Sequence, residues 1–329
     1  STDGVCDAIS ESGMRGIVSR GISDAELYNP PDFIEKIGDV LADLDRLERK
    51  YDSDYITITG EPTTVVRCKP ETIVAIRDWA RDKGKMWHIH LAQTSDELSD
   101  AIKQFNMGSV QWADHLGVLG PETLAIHCSG LLDEEVGILG EKKVRIAHCP
   151  VTQMRGGNLV PPIWTLEEKG AIVGIGTDGS GTNNGQNPWE AMKMAIYMQR
   201  VQSKDRYLGN AELGLEMMTI KAARVLGIED KVGSLEPGKS ADLALFSMDQ
   251  LQLLPGAMLV NNLVYSSTNN HAHTVIIGGD IVLENGQSTR VDENEIKHKI
   301  VEAQRELLRA SELGDTLRIS RTWPINASK

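Results

Sequence analysis

The apolar positions along the chain change period repeatedly, and the changes mark out alternating strands and helices. Residues 1–12 carry the spacing of the tail of a helix, and 13–21 (GMRGIVSRG) read as a strand leaving it. After Pro30-Pro31, apolar residues at Phe33, Ile34, Ile37, Val40, Leu41, Leu44 and Leu47 recur at helical spacing and predict a long amphipathic helix over 32–50. Tyr55–Thr59 is the next strand, and Lys69-Pro70-Glu71 opens a helix through Asp82 that Gly84 closes. A strand at 86–92 is followed by helices over 95–104 and 108–116. Further strands are expected at 123–127, 143–148 and 171–177, with helices over 132–140 and 162–169 between them. Repeated strand–helix units on this pitch imply a parallel sheet with right-handed crossovers, closed or open. Helices over 188–203 and 211–226 then run to Gly227.

Beyond Gly227 the pattern changes. Residues 232–246 (VGSLEPGKSADLALF) are a turn-rich lead into a short strand, and 273–277 with 281–284 form a hairpin across Gly278-Gly279-Asp280. A charged helix over 293–312 follows. Two portions are therefore expected: residues 1–230 as an α/β barrel, and 231–329 as a small β-sandwich portion with a C-terminal helix. Only six barrel strands can be counted where a closed (β/α)8 barrel needs eight, so the first two βα units are expected to be missing.

Composition narrows the class. The chain has 329 residues, 40% of them hydrophobic and 25% charged, which suits a soluble globular fold. A net charge of −13 argues against nucleic acid or an anionic membrane as partner, and no apolar run is long enough to span a bilayer. Cys6, Cys68, Cys128 and Cys149 lack CxxC spacing and read as buried thiols of a cytoplasmic protein, without a disulfide framework.

The chemistry gathers at the strand ends. Ile172–Gly176 form a short buried strand that stops at Thr177-Asp178 and opens into Gly-Ser-Gly-Thr-Asn-Asn. In an α/β barrel that C-terminal lip is where reactions occur, so Asp178 is a candidate metal ligand or proton acceptor; alone, it would read as a helix cap. Other strands end in His90, His127 and His148, which makes a shared site the better reading. His115, His271, His273 and His298 fall on helices or in the sandwich portion and read as structural.

The motifs HIHLAQT (88–94), AIHCSGL (125–131), AHCPVTQMRGG (147–157), GIGTDGSGTNN (174–184) and VGSLEPGKSADLALF (232–246) together resemble the amidohydrolase superfamily. The resemblance is to its branch of guanine, 8-oxoguanine and S-adenosylhomocysteine deaminases and triazine hydrolases. It implies a TIM-type barrel in which one Zn²⁺, or alternatively Fe²⁺, activates water. His90 matches the fifth-strand metal ligand and Asp178 the eighth-strand ligand, which also accepts the water's proton. His127 matches the sixth-strand histidine that positions water and substrate, and His148 lines the substrate pocket. His88 is expected to pack deeper than His90, outside the metal sphere.

The chain departs from the pattern twice. The first-strand H-x-H pair is absent, and Gln93 stands where the family usually carries the glutamate that protonates the ring nitrogen. An amide hydrogen-bonds a heterocycle edge but cannot deliver a proton, so Gln93 is read as a substrate-binding residue in the catalytic position. The expected activity is hydrolytic deamination at an amidine-like carbon of a nitrogen heterocycle. The alternatives are displacement of chloride or alkylamine from a triazine, or a catalytically degraded binding or scaffold protein. A small heterocycle is the expected partner, and a homo-oligomer the expected assembly.

Overall fold

The structure is a computed structural model, and it describes residues 1–27, 29–267 and 271–311. In chain order the barrel portion comprises α1 (Thr2–Ser12), β1 (Gly16–Ile22), α2 (Ile37–Tyr51), β2 (Ile56–Pro62), α3 (Pro70–Asp82), β3 (Trp87–Leu91), α4 (Ser95–Phe105) and α5 (Ser109–His115). It continues with β4 (Thr123–His127), α6 (Asp133–Glu141), β5 (Arg145–His148), α7 (Pro150–Arg155), α8 (Ile163–Glu168), β6 (Ile172–Ile175) and α9 (Ser180–Asn183). It closes with α10 (Pro188–Ser203), α11 (Ala211–Met218) and α12 (Ile220–Leu226).

The barrel strands are parallel and lie in chain order. β1 pairs with β2, and β3, β4, β5 and β6 pair in sequence. The two groups meet where the His90 amide donates to the Thr63 carbonyl at 3.2 Å and Thr64 bridges to His90. The six expected strands thus form one arc, and among the described residues no strand pairs with the free edges of β1 and β6. Odd positions of β3 (Trp87, Ile89, Leu91) pack outward with full burial into the main helix-covered core, because the period of a strand sends alternate side chains to opposite faces. His88 and His90 therefore face the barrel interior. At Gly174 of β6, an added Cβ would stand 3.0 Å from the Ala222 backbone, so α12 can lie against the strand only over a glycine.

Several boundaries differ from expectation. Pro31–Phe33 form a single 3-10 turn, Ile34 is extended, and the long helix starts at Ile37; Phe33 is left 71% exposed. The first strand starts at Gly16, since Gly13 ends α1 with φ 71°. β2 runs on from the expected Thr59 to Pro62. The helix expected over 211–226 breaks at Thr219, whose φ −117° and ψ −99° leave the helical region.

The C-terminal portion holds β7 (Leu243–Phe246), α13 (Leu259–Ser266), β8 (Ala272–Ile277), β9 (Asp280–Glu284), β10 (Gln287–Ser288) and α14 (Glu293–Ala310). The expected sandwich portion is one four-stranded antiparallel sheet in the order β10-β9-β8-β7. Gly278 and Gly279, both at positive φ, make the turn of the expected hairpin. The final helix ends at Ala310; residue 312 of the expected helix and 312–329 of the second portion lie outside the described residues. No helix among the described residues is long and apolar enough to cross a membrane.

Arg15 joins the two portions. Its Nε and Nη2 donate to the two carboxylate oxygens of Asp242, at 2.5 and 3.2 Å, and its guanidinium lies over the Tyr55 ring. Asp242 also accepts the Gly278 amide at 2.8 Å. Burial alone would raise the Asp242 carboxyl, but Arg15 and the Gly278 N–H bring it below its ordinary value. Asp242→Asn should therefore cost about 1–3 kcal/mol in urea unfolding at neutral pH. A carboxyl depressed by folding contributes above its unfolded pKa, and the contribution fades as pH falls through the folded value. The gap between wild type and Asp242→Asn should close below about pH 4. A gap that persists unchanged to pH 2 would refute the pairing.

Candidate functional site

Side chains from four consecutive strand ends meet at one rim. His90 leaves β3, His127 ends β4, His148 ends β5, and Asp178 follows β6. The rings of His90 and His127 are 5.4 Å apart and tilted by 32°. Asp178 lies close enough to act electrostatically on both. The four predicted residues are thus brought together.

The backbone is bent to achieve this. Of the described non-glycine residues, Ala92, His127, Cys128 and Asp178 all take positive φ (51°, 83°, 51° and 62°), and all stand at or just past strand ends. L-residues enter that region at a cost, and such residues concentrate at functional sites. Hydrogen bonds between neighbouring turns hold the conformation. The amides of Ser129 and Gly130 both donate to the Ala92 carbonyl, at 2.8 and 2.7 Å, and the Ser129 hydroxyl donates to the Gln93 carbonyl at 2.6 Å. Glu97, buried at the start of α4, accepts the amides of Ala92 and Gln93 at 3.0 and 2.9 Å. Gln93 itself is half-buried at the rim, with its backbone held from both sides.

Glu61 is the residue of the candidate site that sequence reasoning missed. It lies next to the end of β2, and its Oε1 is 3.0 Å from His90 Nδ1. The contact falls off the direction of the ring N–H, so it is an electrostatic pairing more than a directed hydrogen bond. Burial alone would lower the His90 imidazole, but Glu61 and Asp178 raise it above its ordinary value. Burial alone would raise Glu61, which His90 and His88 bring below its own. The available signal was the alternation of YITITGEP, which continues past Thr59 if Gly60 is allowed inside the strand.

The other imidazoles of the site are shifted the opposite way from His90. Burial drives His127 down to about 4, with His90 adding to the effect and Asp178 opposing it. His148 is fully buried and is pushed down to about 3, chiefly by burial. Among the described residues the His127 ring nitrogens have no hydrogen-bond partner, whereas the His148 imidazole faces the side-chain amide of Gln153. His88 lies one layer deeper, as expected, with Nδ1 2.7 Å from the Ser19 hydroxyl. His88, Glu61 and Ser19 also line a cavity of about 600 Å³ against α1, which His127, His148 and Asp178 do not reach. Burial works against the charged form of Asp178, but the Gly179 amide, at 2.5 Å, and nearby hydroxyls hold its carboxyl below the ordinary value. Burial pushes the Cys149 thiol up to about 12, so no thiolate nucleophile stands here.

As a metal site the rim fits in donor type and falls short in number. His90 and Asp178 are suitable donors, and His127 carries free ring nitrogens beside them. Yet no group of three or more His, Cys, Asp or Glu among the described residues is placed to hold an ion. A zinc ion prefers four ligands.

The sequence profile of the Amidohydrolase family matches residues 2–282. A 5-methylthioadenosine/S-adenosylhomocysteine deaminase of Pelotomaculum thermopropionicum is 34% identical over 312 residues, covering 94% of this chain and 69% of the relative. A 5'-deoxyadenosine deaminase of Methanopyrus kandleri is 29% identical over 307 residues, covering 93% and 70%. The chain spans about two thirds of the length of the curated relatives it matches. Among solved structures, an adenosine deaminase from Xanthomonas campestris with bound zinc superposes with a TM-score of 0.88 at 22% identity, over 94% of this chain and 70% of that one. That likeness confirms the barrel fold.

Gly130 tests how far the rim depends on these turns. A Cβ there would stand 2.7 Å from the Thr94 carbonyl oxygen. Gly130→Ala should push the two turns apart, costing about 1–3 kcal/mol in thermal or urea unfolding. A neutral substitution would mean that the turns after β3 and β4 are not locked together.

Proposed function

The chain belongs to the amidohydrolase family, and we propose that it hydrolytically deaminates the 6-aminopurine ring of an adenosine-type nucleoside. Water adds at the amino-bearing carbon, ammonia leaves, and the ring becomes the 6-oxo compound. The observation that carries this reading is the meeting of His90, His127 and Asp178 at the C-terminal rim of consecutive parallel strands. The adenosine-type substrate rests on the two relatives, both named as deaminases of adenosine derivatives.

His90 and Asp178 would supply two of the donors for one divalent ion, zinc by analogy with the bound neighbour. Such an ion lowers the pKa of a coordinated water. The chain's own residues do the rest. Asp178, ionised at neutral pH, accepts a proton from the attacking water. His127, neutral and beside His90, hydrogen-bonds the water or the substrate edge without adding charge. His148 closes the pocket wall behind it, and Gln93 hydrogen-bonds the ring nitrogen.

We extend the reading to organisation. Residues 1–230 form the catalytic portion and 231–329 the accessory one. Four buried free cysteines support a reducing, cytoplasmic setting. The exposed apolar residues Ile296, Ile300 and Leu307 on α14 support self-association into a homo-oligomer.

The direct test incubates the protein, supplied with zinc, with 5'-methylthioadenosine, S-adenosylhomocysteine and 5'-deoxyadenosine, and follows adenine-to-hypoxanthine conversion by ultraviolet absorbance and released ammonia. Turnover abolished by Asp178→Asn is the expected result; no turnover on any aminopurine sinks the proposal.

Gln93 gives a sharper test. A positioned general acid is worth roughly 10²–10⁴-fold, and the amide cannot serve as one. Gln93→Glu restores a carboxyl at nearly the same volume and should raise kcat on aminopurines by at least about tenfold, ~1.4 kcal/mol in barrier. Equal or lower turnover on every amino-substituted ring would make Gln93 a specificity residue for another leaving group.

A further inference from the structure

Gln153 stands on α7 and is fully buried, an expensive place for an amide that lacks a specific partner. Its Nε2 donates to the main-chain carbonyl of His127 at 3.4 Å, and its side-chain amide also lies against the His148 imidazole, which it raises against the effect of burial. The carbonyl it reaches is one the sheet does not use. Pairing of β4 with β5 stops at Ile126 and Ala147, whereas β5 continues against β6 as far as His148 and Ile175. His127 thus lies past the ladder on its β5 side. It also turns away, since His127 and Cys128 are two successive non-glycine residues at positive φ. On the other side the turn is still fastened, with the Cys128 amide donating to Leu91 at 3.1 Å.

We propose that Gln153 is the positioning residue for His127: its amide replaces the missing strand N–H, holds the left-handed strand end, and so fixes the imidazole over His90. The inference rests on the reading that His127 acts on water or substrate. A polar filler at position 153 would stabilise the core equally whatever stands at 127. A positioning residue matters only while the imidazole is there to be placed.

The test uses the full chain carrying Gln153→Met, or Gln153→Leu, both close in size and without a donor. The His127 ring signals, assigned by comparison with His127→Ala, are read by histidine-ring ¹H–¹³C spectra. In the Gln153 variants they should shift and split into more than one population, while His271, His273 and His298 stay in place. On a turned-over aminopurine, kcat should fall about tenfold with KM little changed, the scale of a sub-ångström misplacement. In the His127→Ala background Gln153→Met should cost nothing further. An unmoved His127 signal, or an equal loss in both backgrounds, overturns the proposal. If the unaltered chain turns over no aminopurine, the deaminase reading fails while the ring signals still decide this one. If neither variant folds, the Gln153 side-chain amide protons in the unaltered chain decide it: exchange with solvent as fast as an exposed amide refutes the bond.

Discussion

The register of β3 against β4 governs where every candidate catalytic group stands. Leu91 pairs with His127, so His90 and His127 end adjacent strands one step apart, and their rings come within 5.4 Å. The chain then leaves both strands through left-handed turns that hydrogen-bond to each other, Ser129 and Gly130 to Ala92 and the Ser129 hydroxyl to Gln93. A slip of one residue would exchange the inward and outward faces of β3, placing Trp87, Ile89 and Leu91 in the barrel and the histidines in the core. The full burial of those three apolar side chains therefore fixes the site as surely as any contact between the site residues themselves.

Charge is then distributed by depth. His148 and His127 are buried and held neutral, far below their ordinary values. His90 is set apart by two carboxylates, Glu61 beside it and Asp178 across the rim, which outweigh its burial. Neighbouring groups of one residue type thus differ in proton affinity because their surroundings differ, and acid and base roles are commonly separated in this way. An ionised Asp178 with a neutral His127 can take a proton from water. Gln93, where a carboxyl would be useful, offers only hydrogen bonds.

Much of this was legible in the sequence, for a physical reason. A parallel strand is apolar on both faces and short, so a polar residue at its end is conspicuous, and His90, His127, His148 and Asp178 all stand at such ends. Glu61 was hidden because Gly60 looks like a strand terminator, whereas here it lets α3 approach: an added Cβ would meet Ile76. The break at Thr219 was hidden because apolar spacing runs through both α11 and α12 and carries no record of a backbone that leaves the helical region at one residue. Phe33 and Ile34 fitted the helical period but precede its start, since periodicity says which residues can share a face and not which are hydrogen-bonded into a helix. The positive φ values at the rim left no sequence trace at all, because none falls on glycine.

Those four strained residues explain why the rim needs so much hydrogen bonding behind it. Each left-handed L-residue costs on the order of 1 kcal/mol, and Ala92, Cys128 and His127 have no side-chain group that relieves the backbone locally, as an asparagine would. The compensation comes from partners outside the turns. Glu97 receives two amides at the end of β3, Ala92 receives two more from the turn after β4, and Gln153 meets the His127 carbonyl. Each is a contact between one strand's exit and a different element, so none can relax without displacing a neighbour. The barrel therefore spends helix and loop hydrogen bonds to hold strand ends in conformations they would not choose, and in return His127 and Asp178 face the interior instead of continuing along the strand.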